Sequence, residues 1–169
     1  WCREPKTGRR TWWRSREELV SSLGRKDTPA YLGSMQYPAK VLLAWGEAIS
    51  GNREIRDWLM QNGYPELALT CHALHLDDSA RSWLMANQHP HLMALVSGSE
   101  GDAQAIQWME KFGFNYLKDV ALGADNDDEA VKRLIKAGQR EWAGIALKIR
   151  SVKNQIESDN NDMHKISRR

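Results

Sequence analysis

A chain of 169 residues, 41% hydrophobic and 27% charged, fits one ordinary domain or a repeat domain with an appendage, and excludes wholesale disorder. No stretch approaches roughly 18 consecutive apolar residues, so no membrane span is expected; no apolar run is longer than VLLAW at Val41–Trp45. The net charge of +2 hides an asymmetry: residues 1–26 carry 8 Lys and Arg against 3 Asp and Glu, residues 27–147 carry 10 against 16, and residues 148–169 carry 6 against 3. An acidic body with two basic ends excludes a uniformly basic nucleic-acid binder.

The two cysteines, Cys2 and Cys71, provide neither a disulfide framework nor a four-cysteine metal site, so a reducing, cytoplasmic setting is expected. The chain opens on Trp1 rather than on methionine, which leaves room for a preceding segment or a cleaved signal peptide.

Residues 1–26 read WCREPKTGRRTWWRSREELVSSLGRK. The PKTG turn between two polar-aromatic runs predicts a short β-hairpin. Ser15 and Glu18 then offer a capping box for a helix over Arg16–Leu23. This strand-turn-strand-helix order resembles the arm-binding module of tyrosine recombinases, though without a third strand. The resemblance implies that Arg9, Arg10 and Arg14 meet phosphates while Trp12 or Trp13 stacks. The plainer and preferred reading is a linker or cap edge whose tryptophans cover the end of the array. Residues 27–51 read as a divergent cap helix, with YPAKVLLAWGEAISG as its core.

From Asn52 the chain repeats every 25 residues, without a gap, in four units: Asn52–Leu76, Asp77–Gly101, Asp102–Asn126 and Asp127–Ser151. Position 1 of the unit is Asn52, Asp77, Asp102 or Asp127, each able to accept a free backbone N–H of a first helical turn. Position 4 is Ile55, Ala80, Ala105 or Ala130; position 7 is Trp58, Trp83, Trp108 or Arg133; position 8 is Leu59, Leu84, Met109 or Leu134. These share one helical face, so each unit opens with an amphipathic helix of about ten residues. Position 12 is Gly63, Gln88, Gly113 or Gly138, where a left-handed residue would end that helix. Pro65 and Pro90 at position 14 suit the start of a second, shorter helical segment, α or 3₁₀. Beyond Ser151 the last helix extends to about Glu157, and residues 152–169 end in a flexible basic tail.

The unit resembles the leucine-rich repeat variant (LRV), a relative in shape of HEAT and armadillo repeats. Arg56, Asn62, Gly63, Pro65 and Leu67 carry the likeness in unit one, and Asn87, Pro90, Leu92 and Leu95 in unit two. The strong Trp column and the loss of Pro in units three and four depart from it. The resemblance implies an all-α, right-handed α-solenoid of about four 25-residue helix-turn-helix repeats with an N-terminal cap. It says little about activity.

The Trp column reads as core between repeats, with an exposed binding ladder as the alternative. Cys71, His75, His89 and His91 lie close in sequence and offer a metal-site alternative. The preferred reading has Cys71 as a small buried residue and His89, in the column of Tyr64 and Phe114, as a ring packed in a turn. GADNDDEA (Gly123–Ala130) lacks the spacing of a calcium loop. No phosphate loop, nucleophile elbow or zinc-helix motif occurs, and no catalytic residue or cofactor is assigned.

The expected function is therefore a non-catalytic scaffold for a protein partner. Its contacts are expected where the units disagree: Arg56, Asp57, Arg81, Gln107 and Lys111. A nucleic-acid-associated protein using the basic arm is the first alternative, and a metal-dependent enzyme built on the Cys/His cluster the second.

Overall fold

The computed structural model describes residues 37–161, all within one compact unit, Gln36–Arg169. The expected hairpin and helix of residues 1–26, and most of the tail, lie outside the described residues. Among those described there is no strand, and nine helices follow one another. They are α1 (Ala39–Ile49), α2 (Arg53–Gln61), α3 (Pro65–Leu74), α4 (Asp78–Ala86), α5 (Pro90–Ser99), α6 (Ala103–Lys111), α7 (Asn115–Ala124), α8 (Asp128–Lys136) and α9 (Arg140–Asn161).

The helix boundaries reproduce the 25-residue period read from the sequence, and the caps explain why. Asp77 accepts from the N–H groups of Ser79 and Ala80, Asp102 from Gln104 and Ala105, and Asp127 from Glu129 and Ala130; Asn52 accepts from Ile55. At the other end Gly63, Gln88, Gly113 and Gly138 all have positive φ, at 88°, 66°, 79° and 75°. The next N–H then reaches back to Leu59, Leu84, Met109 or Leu134 at 3.0, 2.9, 2.8 and 2.9 Å, closing the helix in a Schellman turn.

The second helices end the same way. Gly51, Leu76, Gly101 and Asn126 take positive φ. The following Asn or Asp donates its N–H back into the finished helix while its side chain opens the next. One residue thus stops one helix and starts another, which keeps the turns short. This left-handed position was not read from the sequence, because Leu76 occupies it in unit one and leucine carries no turn signal.

Two features differ from the sequence reading. The second helix of each unit is α-helical and, at ten residues in α3, α5 and α7, slightly longer than the nine of the first. The second helices also form the inner layer. All ten residues of α5 are buried, whereas α4 buries Ala80, Leu84 and Met85. An outer helix alternates a buried stripe with a wet face, so its period is visible; a helix buried all round has none.

The inner layer turns back on itself. α1, α3, α5, α7 and α9 each pack on the next, and α9 packs on α1. The Trp45 and Trp142 rings meet edge to face across that closure, centroids 6.1 Å apart. Each outer helix bridges two inner ones: α2 spans α1 and α3, α4 spans α3 and α5, α6 spans α5 and α7, and α8 spans α7 and α9. α9 runs to Asn161, past the expected Glu157.

Basic side chains tie the inner helices' C-terminal ends together, where backbone carbonyls lack intrahelical donors and the helix dipole is negative. Arg81 donates to the Ala73 carbonyl at 3.1 and 2.9 Å and pairs with Glu100. Arg150 donates to the Gly123 carbonyl at 2.8 Å and to Asp128. Lys153 donates to the Ser99 carbonyl and to Asp125. Lys148 reaches Glu47 and the Ser50 hydroxyl beside the end of α1. Three of these four cations belong to α9, so the last helix stitches the ends of α1, α5 and α7.

Candidate functional site: an aromatic row

The sequence reading placed the Trp column in the core, and the structure corrects this. Position 8 is the buried one: Leu59, Leu84 and Met109 are fully buried and Leu134 nearly so. Position 7 sits at the edge of that stripe. Trp58 is 46% exposed, and Trp83 and Trp108 are half-buried. The width of the helix decides this. Positions 4 and 8 lie one turn apart and point at the inner layer, and the neighbouring position 7 is rotated towards solvent.

Each Trp instead lies flat on the ring that precedes its unit's second helix. Trp58 stacks on Tyr64 with centroids 6.5 Å apart and planes 21° apart. Trp83 stacks on His89 at 5.9 Å and 9°, and Trp108 on Phe114 at 5.6 Å and 8°. The Schellman turn makes this pairing: it folds position 13 back under position 7 of the same unit. The row is extended by Tyr37 against Tyr64 and by His91 between His89 and Phe114. Phe112 lies 4.8 Å from Trp108, with the Lys111 ammonium 5.8 Å from its centroid. In unit four the pair becomes Arg133 and Gln139, and Arg133 turns to Asp119 at 3.0 and 2.7 Å. The row therefore spans units one to three and ends at an ion pair.

The underside of the row carries titratable groups. Tyr37 donates its hydroxyl to the buried carboxylate of Glu66 at 3.0 Å, and burial with that carboxylate raises the phenol far above its ordinary range. His91 is fully buried in α5, and desolvation with the neighbouring His89 lowers its pKa to about 4. Burial lowers His89 as well, against the pull of Glu66. The His91 imidazole is thus held neutral near pH 7.

The Cys/His residues do not converge. Cys71 is buried in α3, donates its thiol to the Leu67 carbonyl at 3.4 Å, and is pushed up to about 12 by burial. His75 is exposed at the C-cap of α3, and His89 and His91 belong to the aromatic row; His91 is a core residue of α5 rather than part of a turn. Among the described residues no three His, Cys, Asp or Glu side chains gather as a set able to hold a metal ion.

Of the expected partner contacts, Asp57, Gln107 and Lys111 are exposed on α2 and α6. Arg56 is half-buried, and its charge lowers the Cys71 thiol against the larger effect of burial. Arg81 is committed to Ala73 and Glu100, so it braces the fold rather than standing free. Arg9, Arg10, Trp12, Trp13 and Arg14 lie outside the described residues. No described helix is long and apolar enough to cross a membrane. No family model, curated protein or solved structure matches the chain.

Proposed function

We propose that this chain is a non-catalytic helical-repeat scaffold, a right-handed solenoid of the LRV type, that holds a protein partner on its aromatic row. The observation that carries the reading is the exposure of Trp58, at 46%, in a row whose rings are already stacked. Large aromatics are the side chains that most often dominate protein interfaces. A ring fixed before binding loses little rotamer freedom on contact. Asp57 and Gln107, both at position 6 beside the row, would set its polar rim, with Lys111 at its far end.

The test compares wild type with a Trp58→Ala, Trp83→Ala, Trp108→Ala variant as bait in extract from the native cell. A protein retained in stoichiometric amount by wild type and lost by the variant, with unchanged helical content, supports the reading. An identical retained set overturns it.

A further inference from the structure

Units one and two carry the same four-part site, and units three and four do not. Trp58 lies on Tyr64 and Trp83 on His89, with ring centroids 6.5 and 5.9 Å apart. Between the two rings in sequence stands Asn62 or Asn87, whose side-chain amide donates to the carbonyl of its own unit's Trp at 2.8 or 2.9 Å. Pro65 or Pro90 follows the second ring and opens the second helix. Phe112 and Ala137 take the asparagine position in units three and four, and neither of those units has the proline.

Each site sets flat apolar ring faces beside an exposed amide. One amide N–H holds the Trp carbonyl, and the second is free to donate outward. This combination suits a segment that is apolar along its edge yet keeps its backbone carbonyls unbonded. A helix spends its carbonyls on itself. A polyproline II (PPII) segment does not, its rings pack on aromatic faces, and it is rigid before it binds. The spacing agrees as well. Tyr64 and His89 precede α3 and α5, which pack on one another. Packed helices stand about 8–10 Å apart. Between units two and three a single ring, His91, bridges His89 and Phe114 with contacts of 5.8 and 5.6 Å. One PPII turn, three residues, advances about 9 Å.

We infer that units one and two together bind a proline-rich segment of a partner protein, with the two prolines of a Pro-x-x-Pro motif seated on Trp58 and Trp83. The inference rests on the scaffold reading and names its occupant. This chain does not supply that occupant from outside the described residues: residues 1–36 hold only Pro5 and Pro29, and residues 162–169 hold none. Charge sets the flank of the motif. Residues 27–147 carry 10 Lys and Arg against 16 Asp and Glu, and Asp57, adjoining Trp58, is exposed. A Lys or Arg beside the prolines is complementary to that surface.

The test titrates the full chain into two labelled peptides, followed by fluorescence anisotropy. One is an arginine followed by about nine prolines, roughly three PPII turns. The other keeps the arginine and replaces the prolines by alternating Gly and Ser. Saturable binding of the proline peptide alone is expected, weakened about tenfold or more by Trp58→Ala and less by Asp57→Lys. Both positions are exposed, so both variants are expected to fold, with helical content as the check. Ile135→Glu, on the exposed face of α8, should leave the affinity unchanged. Absence of binding by the proline peptide, equal binding of the two peptides, or binding that Trp58→Ala leaves intact overturns the inference. The scaffold reading fails separately. A protein that the triple Trp variant loses from cell extract, and that holds no proline-rich segment, keeps that reading and overturns this one.

Discussion

The outer helix α4 and the inner helix α5 are neighbours in sequence, yet different forces hold them. α4 begins on an Asp side chain that satisfies two backbone N–H groups and buries a single stripe. α5 begins on His89 with no side-chain cap bond, and buries all of its residues. The same contrast runs through the other units: Asn52, Asp102 and Asp127 cap α2, α6 and α8, whereas Tyr64 and Phe114 make no cap bond for α3 and α7. Outer helices are fixed locally, at their ends. Inner helices are fixed by the neighbours that surround them. A helix that is weak in isolation is stable once buried on all sides, because most helical stability in proteins comes from packing.

Truncating the same residue type in each layer tests this most sharply. Met93 in α5 is 1% exposed and Met60 in α2 is 43% exposed. Met93→Ala should cost about 2–5 kcal/mol, through lost burial and the cavity left behind. Met60→Ala should stay within about 0.5 kcal/mol. Urea unfolding of both variants measures the difference, and similar losses would break the distinction between layers.

Acid should act on the inner layer next. The pKa of His91 is lowered to about 4, while in the unfolded chain it titrates near its ordinary value. Below about pH 6.5 the unfolded chain takes up a proton that the folded chain refuses, so stability falls as pH drops and levels off near pH 4. The loss should approach about 3 kcal/mol, because each tenfold drop in proton affinity on folding is worth about 1.4 kcal/mol. His89, lowered by its own burial, adds in the same direction. Unfolding midpoints measured from pH 7 to pH 4 should show this slope in wild type and a much smaller one in His91→Phe. An equal slope in both would show that the acid sensitivity arises elsewhere.

The smallest effect belongs to the outer layer's caps. Asp102→Ala removes the acceptor for the Gln104 and Ala105 N–H groups and should cost about 1 kcal/mol. Hydrogen exchange should localise the loss to the first turn of α6. Exchange that rises evenly through α5 and α6 would mean that the two layers unfold together.

Much of this architecture was legible in the letters. The 25-residue period, the Asp caps and the glycine stops are local, and each is satisfied by residues within a turn or two of itself. The aromatic row was visible as two columns, but not as one feature. Stacking of Trp58 on Tyr64 needs the Schellman turn between them, and exposure depends on what the neighbouring unit covers. The hairpin and the phosphate contacts expected near Arg9 and Trp12 fall where the structure describes nothing.

The sequence by itself determined where each outer helix starts and stops, because an Asn or Asp cap and a left-handed turn are decided by a few adjacent residues. Only the tertiary structure decided which helices are inside, that α9 returns to α1, and that one seam lacks a covering helix among the described residues. Those outcomes rest on contacts between distant residues, such as Lys148 with Glu47 and Lys153 with Ser99. These pairs follow no period, and lysines that close a fold carry the same letter as lysines in water.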